Sequence, residues 1–384
     1  MFRKTPLAWL QLTREKIRLL VALAGISFAD ILMFMQMGFK DALFESSTRP
    51  HKTLQAELVL ISPKSESLVA MQDFSWRRLY QALSVEGVEW VSPLYLGLIN
   101  WKNPVTSRER SILVLGYDPS KPVFNMPEVN ENASLLKIPD VVFFDRSSRA
   151  EFGPIAERLE QGKSTSAEVG GRRVKVRSLF NLGASFAADG NLITSDLNFI
   201  RIFSDRQLGQ IDAGLINLKP GVDAEKVRLM IEAQLPEDVM VLTHEGFVEF
   251  EQSYWRDSTA IGFIFSLGTM MGFIVGIVIV YQIIYTDVAN HLPEYATLKA
   301  MGYRDRYFLS LVFQEACYLA ILGFLPSLPI VMFLYGLTRN ATMLPVVMTL
   351  NRAIVVLILT LVMCIISGAI AVRKLQEADP ADIF

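Results

Sequence analysis

Two carboxylates, Asp30 and Glu315, fall inside long apolar runs of this 384-residue chain, and their placement most invites a chemical explanation. An unpaired charge within a bilayer is costly unless it is neutralised, solvated or partnered. At ~1.5 Å of rise per residue, Asp30 lies near mid-membrane and is expected to face protein. It acts there either as a hydrogen-bonded switch between helices or as a purely structural contact. Glu315 lies shallower, about 12 Å from one membrane edge on the same rise, and is expected to hold the adjoining polar loop to its span rather than to carry protons. Other chemistry is hard to find. Gly162-Lys163-Ser164 imitates the end of a phosphate-binding loop, but that motif needs a glycine where Glu157 stands, so the tripeptide reads as a surface turn. The sequence contains no H-E-x-x-H, no G-x-S-x-G and no metal-spaced cysteine set, and His51, His244 and His291 are scattered. Cys317 and Cys364 both sit in apolar runs, as packing residues do. The expectation is a non-enzymatic chain with no catalytic, cofactor-binding or metal-binding residue, whose energy, if it uses any, comes from another polypeptide.

The elements that position these residues are membrane spans. Half of the chain is hydrophobic (51%) and the net charge is only -2, so nothing suggests a nucleic-acid partner. Four runs reach the roughly 20 residues that cross a bilayer: 17–39, 260–285, 308–337 and 353–372. Pro326 and Pro329 predict a kink or break near the far end of the third. Arg3, Lys4, Arg14, Lys16 and Arg18 give the first run a signal-like basic start; its length, Asp30 and the lack of a clear cleavage site favour an uncleaved anchor over a cleaved leader. Positive charges in the N-terminal segment 1–16, the loop 286–307 and the tail 373–384 put these on the cytoplasmic side, with the short loop 338–352 (Arg339, Arg352) opposite. Residues 40–259 then form an extracytoplasmic domain.

This domain reads as α+β with two subdomains. Strands are expected at 57–62, 88–100 and 111–117 and a helix at 75–83; a second βαβ-like unit has strands at 214–218 and 238–242 around a helix at 223–234, with Val227, Met230 and Ile231 inward. One subdomain thus combines 55–118 and 211–245, and 119–210 is an inserted β-rich part with a hairpin over 169–176. Trp90, Tyr95, Trp101, Phe143 and Phe144 are candidate exposed aromatics for partner docking, although core is the commoner place for each.

The loop 286–307 contains a short amphipathic helix. Pro293 suits a first helical turn, Glu294 favours the helix start, Tyr295, Leu298 and Met301 share one face, and Gly302 ends it. Lying on the lipid surface is its simpler role; docking onto a soluble partner is the other. In the second span, Gly268, Gly272 and Gly276 form a G-x-x-x-G-x-x-x-G ridge for close helix packing, at a dimer seam or within the chain.

The segment Glu294-Tyr295-Ala296-Thr297-Leu298-Lys299-Ala300-Met301-Gly302 resembles the E-I-A-x-L-R-A-L-G coupling segment of MacB/FtsX/LolC-type ABC transporter permeases, the type VII or mechanotransmission class. Phe313-Gln314-Glu315-Ala316 and the C-terminal Leu375–Ile383 stretch resemble two further motifs of that family. Leu292–Tyr303 and Phe28–Gln36 are similar to the DevC branch of cyanobacterial exporters. The resemblance covers the membrane portion and the order of one span, a large domain and three spans. Pro293 departs from it, standing where the family usually has a basic residue. It implies an α-helical membrane protein with four transmembrane helices and a MacB periplasmic core-like α+β domain between the first two, in the bacterial inner membrane with both termini cytoplasmic. It also implies a homodimer served by a separate ABC ATPase (DevA-like) that uses ATP and Mg, a periplasmic adaptor or membrane-fusion protein (DevB-like), an outer-membrane TolC-like channel and membrane lipids. Pro293, Glu294, Tyr295, Leu298, Lys299, Met301 and Gly302 would couple to the ATPase. The activity implied is export of a lipid-like or amphiphilic substrate; the alternatives are LolC-like lipoprotein extraction and FtsX-like control of a cell-wall hydrolase.

Overall fold

The computed structural model describes residues 7–291, 293, 297, 301–303 and 305–376. It divides into two compact units. One contains residues up to Asp41 together with Ala260–Asn340 and those from Val346 onward; the other contains Ala42–Thr259 with Ala341–Pro345.

The first unit is built from four helices long and apolar enough to cross a membrane. They belong to the helical stretches Lys16–Lys52, Ala260–Asn290, Asp305–Thr342 and Leu350–Gln376, preceded by a short helix, Leu7–Arg14. The first runs on to Lys52 rather than ending at 39, because helix-compatible residues follow the apolar run. Of the kink or break expected in the third, there is no break: the helix runs on through Pro326 and Pro329. Between the prolines, the Ser327 hydroxyl donates to the Phe324 carbonyl at 2.7 Å, the kind of local hydrogen bond that lets membrane helices tolerate proline. Small buried residues, including Ala22, Ala29, Ala316, Ala320 and Ala371, bring these helices together. Hydroxyls bridge them as well: Ser27 donates to the Gly323 carbonyl at 2.7 Å and Ser367 to that of Ile277 at 2.8 Å.

The second unit is an α/β domain. Its strands are β1 (Leu58–Ile61), β2 (Phe74–Ser75), β3 (Val88–Lys102), β4 (Glu109–Tyr117), β5 (Val141–Asp145), β6 (Thr165–Val169), β7 (Arg172–Phe180), β8 (Asn191–Ser195), β9 (Gln210–Ile211), β10 (Ala213–Leu218) and β11 (Met240–Thr243). Nine of them form one sheet in the order β11-β1-β10-β3-β4-β8-β5-β7-β6. β1 lies antiparallel between β10 and β11, and β10 antiparallel between β1 and β3. Each of the two expected βαβ units is therefore split by a strand of the other, the ferredoxin-like arrangement. Strands of the inserted part extend this same sheet, through the parallel pair β4–β8, instead of building a sheet of their own. The expected hairpin is β6–β7, turning at Gly170 and Gly171 with φ of +55° and +78°, as a two-residue turn requires.

Alternate side chains of the sheet feed two cores. Leu58, Leu60, Val114 and Phe144 enter one with Leu79, Val227, Ile231 and Phe199 of the covering helices. Val59, Ile61, Leu115 and Phe143 enter the other with Phe124, Leu136 and Phe247. With both faces covered, the apolar strands are core, and this corrects the aromatic candidates: Tyr95, Trp101, Phe143 and Phe144 are buried and Trp90 only partly exposed. Met230, expected inward, is exposed, while Val227 and Ile231 of the same helix are buried.

Candidate functional site

The long helices carry two polar clusters, and their partners come from distant parts of the chain. At the end of the second helix that borders the loop 286–307, Asp287 and Glu315 are both buried and their carboxyl groups interact directly. Arg18 of the first helix lies 2.8 Å from Glu15 and 3.7 Å from Asp287. These four side chains line a cavity of about 10 Å³, room for a single water. Asp287 Oδ2 and Glu315 Oε2 are buried without a hydrogen-bond partner. The His291 ring Nδ1 lies 2.9 Å from the Asp287 carbonyl and 3.7 Å from its carboxylate. Glu315 thus sits against the residue from which the loop departs.

Toward the other end of the same helices stands Arg352. Its Nε and Nη2 donate to Asp41 Oδ2 at 3.0 and 2.5 Å, and its Nη1 donates to the Tyr335 hydroxyl at 3.1 Å and the Val347 carbonyl at 2.8 Å. The guanidinium also lies over the Tyr335 ring at 5.4 Å. Tyr335 in turn donates to the Phe34 carbonyl, joining first, third and fourth helices. Asp30, midway along the first helix, is fully buried; its Oδ1 accepts from Thr360 of the fourth helix at 2.6 Å, and its Oδ2 has no partner.

The glycine ridge packs inside the chain. A Cβ at Gly268 would strike Gln36, one at Gly272 would press on Met33, and one at Gly276 would overlap Met363 while touching Ala29. Side chains of the first and fourth helices fill the groove, which is the packing within the chain that the ridge allows. Of the coupling residues, Glu294, Tyr295, Leu298 and Lys299 lie outside the described residues. Among those described, the Thr297 hydroxyl donates to the Pro293 carbonyl at 2.9 Å and the Met301 N–H to the Thr297 carbonyl at 3.1 Å, the spacing of a helical turn. Met301 is exposed, and Gly302 has φ of +95°, the left-handed conformation that ends helices.

Arg18, Asp41, Asp287, Tyr335, Arg352 and Thr360 were absent from the candidates drawn from sequence. Arg18 and Arg352 were read there only as charges that set topology. Asp287 carried a signal, as a carboxylate at the end of an apolar run.

Among curated proteins, no sequence matches the chain. Among solved structures, it is similar to the periplasmic region of MacB from Actinobacillus actinomycetemcomitans, at 11% identity and a TM-score of 0.35, covering 54% of this chain and 95% of that one. It is similar too to the extracellular domain of the ABC-type transporter YknZ from Gram-positive bacteria, at 12% identity and a TM-score of 0.34, covering 49% of this chain and all of that one. Residues 262–380, which hold Asp287, Glu315, Gly302 and Arg352, match the family described as FtsX-like permease C-terminal.

Proposed function

We propose that this chain is the membrane subunit of an ABC exporter of the DevC/MacB type. The observation that carries the reading is the FtsX-like permease match over residues 262–380, which begins just inside the second long helix and takes in the loop with Met301 and Gly302. In this reading a separate ATPase that uses ATP and Mg docks on the loop helix of Pro293, Glu294, Tyr295, Leu298, Lys299, Met301 and Gly302. The Asp287–Glu315–Arg18 cluster then ties the root of that loop to the first and third helices, so a push on the loop is felt by both. The subunit pairs as a homodimer in the bacterial inner membrane with its termini in the cytoplasm. Its α/β domain works in the periplasm with a membrane-fusion adaptor and an outer-membrane channel, and the cargo is lipid-like or amphiphilic.

The test is ATP hydrolysis by the chain purified with its ATPase in lipid. Stimulation by a membrane-fusion adaptor is the expected result. Stimulation by an activator of a cell-wall hydrolase, or handover of lipoprotein to a periplasmic chaperone, would contradict export.

A further inference from the structure

Within the α/β domain, His51 and Glu251 meet in a place where water does not reach. Both are fully buried, and His51 Nε2 stands 3.6 Å from Glu251 Oε2. The imidazole lies against Phe247, with ring centroids 4.3 Å apart, and hydrogen-bonds the Ser47 backbone one helical turn back. Glu251 is well partnered: Oε2 accepts from the Leu68 N–H at 2.7 Å and Oε1 from the Trp255 indole at 2.8 Å. It therefore ties the loop after β1 to the π-helical segment Tyr254–Ser258, and it faces the last turn of the Lys16–Lys52 helix through His51. The other titratable group acting on the pair is His244, whose Nδ1 lies 3.1 Å from the Ala56 carbonyl.

A neutral imidazole offers one N–H and one lone pair, and a carboxylate offers only acceptors; with its N–H given to the Ser47 backbone carbonyl, His51 turns the lone pair of Nε2 toward Glu251. A buried pair of this kind closes its gap when one hydrogen lies between the two groups. We propose that His51 and Glu251 form a proton-operated clasp: with one hydrogen held between Nε2 and Oε2 the end of the first helix is fastened to the Tyr254–Ser258 segment, and without it the contact opens. Burial supports this, pushing the Glu251 carboxyl up to about 6, so the hydrogen leaves as the surroundings pass from mildly acidic to neutral. Burial, aided by His244, pushes the imidazole down to about 3, so it stays neutral over the same range.

The linkage has a distinctive sign. A carboxyl raised from 4.5 to about 6 contributes stability that is full below 4.5 and lost as pH rises through about 6. An imidazole lowered from 6.5 to about 3 acts oppositely, because the unfolded chain takes up a proton below 6.5 that the folded chain refuses. The two nearly cancel between pH 4.5 and 6, and single substitutions should uncover each. The experiment is thermal unfolding of the full-length chain in detergent from pH 5 to 7.5, with His51→Phe, which keeps the packing on Phe247, and Glu251→Gln, which can donate its amide hydrogen to His51. Relative to wild type, the folding constant of His51→Phe should rise on acidification and that of Glu251→Gln should fall, each by up to about tenfold per pH unit at its steepest. Hydrogen exchange of residues 63–70 and 254–258 in wild type should slow below pH 6 and lose that dependence in both variants. Parallel slopes in the two variants, or exchange in wild type that ignores pH once corrected for intrinsic rates, would overturn the clasp. If one variant does not fold, the wild-type exchange profile decides alone.

Discussion

The Arg352 cluster and the Arg18 cluster use the same chemistry in the same helices and arrive at different states. Arg352 is buried and spends its donors on a carboxylate, a hydroxyl and a carbonyl, while its partner Asp41 remains half exposed and can be hydrated. Arg18 faces two carboxylates at unequal distances, and Asp287 Oδ2 and Glu315 Oε2 beside it are buried without a hydrogen-bond partner. Fully satisfied polar networks rigidify a structure, whereas a partly satisfied buried one adds little net stability. One end of the bundle is thus fastened by more hydrogen bonds than the end that adjoins the loop.

Breaking the fastened end should have the largest effect. Arg352→Leu removes a buried guanidinium with its hydrogen bonds and ring contact, and should cost about 3 kcal/mol in unfolding of the detergent-solubilised chain. Tyr335→Phe severs the links to Arg352 and the Phe34 carbonyl but keeps the ring, and should cost about 1 kcal/mol in the same assay. Glu315→Gln should change stability by less than about 0.5 kcal/mol, since its amide can donate to the Asp287 carboxyl that Glu315 already faces. It should nevertheless alter ATPase coupling, and a loss above 2 kcal/mol would erase the contrast between the two ends. The opposed pH slopes of His51→Phe and Glu251→Gln extend the comparison to the α/β domain, where a third pairing has geometry between these extremes.

The spans were legible because about 20 consecutive apolar residues have few other uses. The strand–helix–strand units were legible because β10, the capping Asp223 and Ala224–Gln234 follow in ordinary order. The joining of all nine strands was not, since β4–β8 pairing links residues with no local signal of each other. Phe143 and Phe144 misled as docking candidates because a strand buried on both faces reads as a continuous apolar run, with no polar alternation to mark an exposed side. Arg352 and Asp41 stand at opposite ends of the chain, and each alone looks like a flanking charge; only the fold makes them a pair. Asp30 was expected to face protein, and Thr360 is what it faces.

The central claim is that the loop after the second long helix receives work from a separate ATPase. The most direct measurement is ATP hydrolysis by that ATPase assembled in lipid with either the wild-type chain or the Glu294→Lys, Gly302→Leu double variant, at matched complex formation. Coupling predicts that adaptor-stimulated hydrolysis seen with the wild-type chain disappears with the variant; undiminished stimulation would contradict the assignment of this loop.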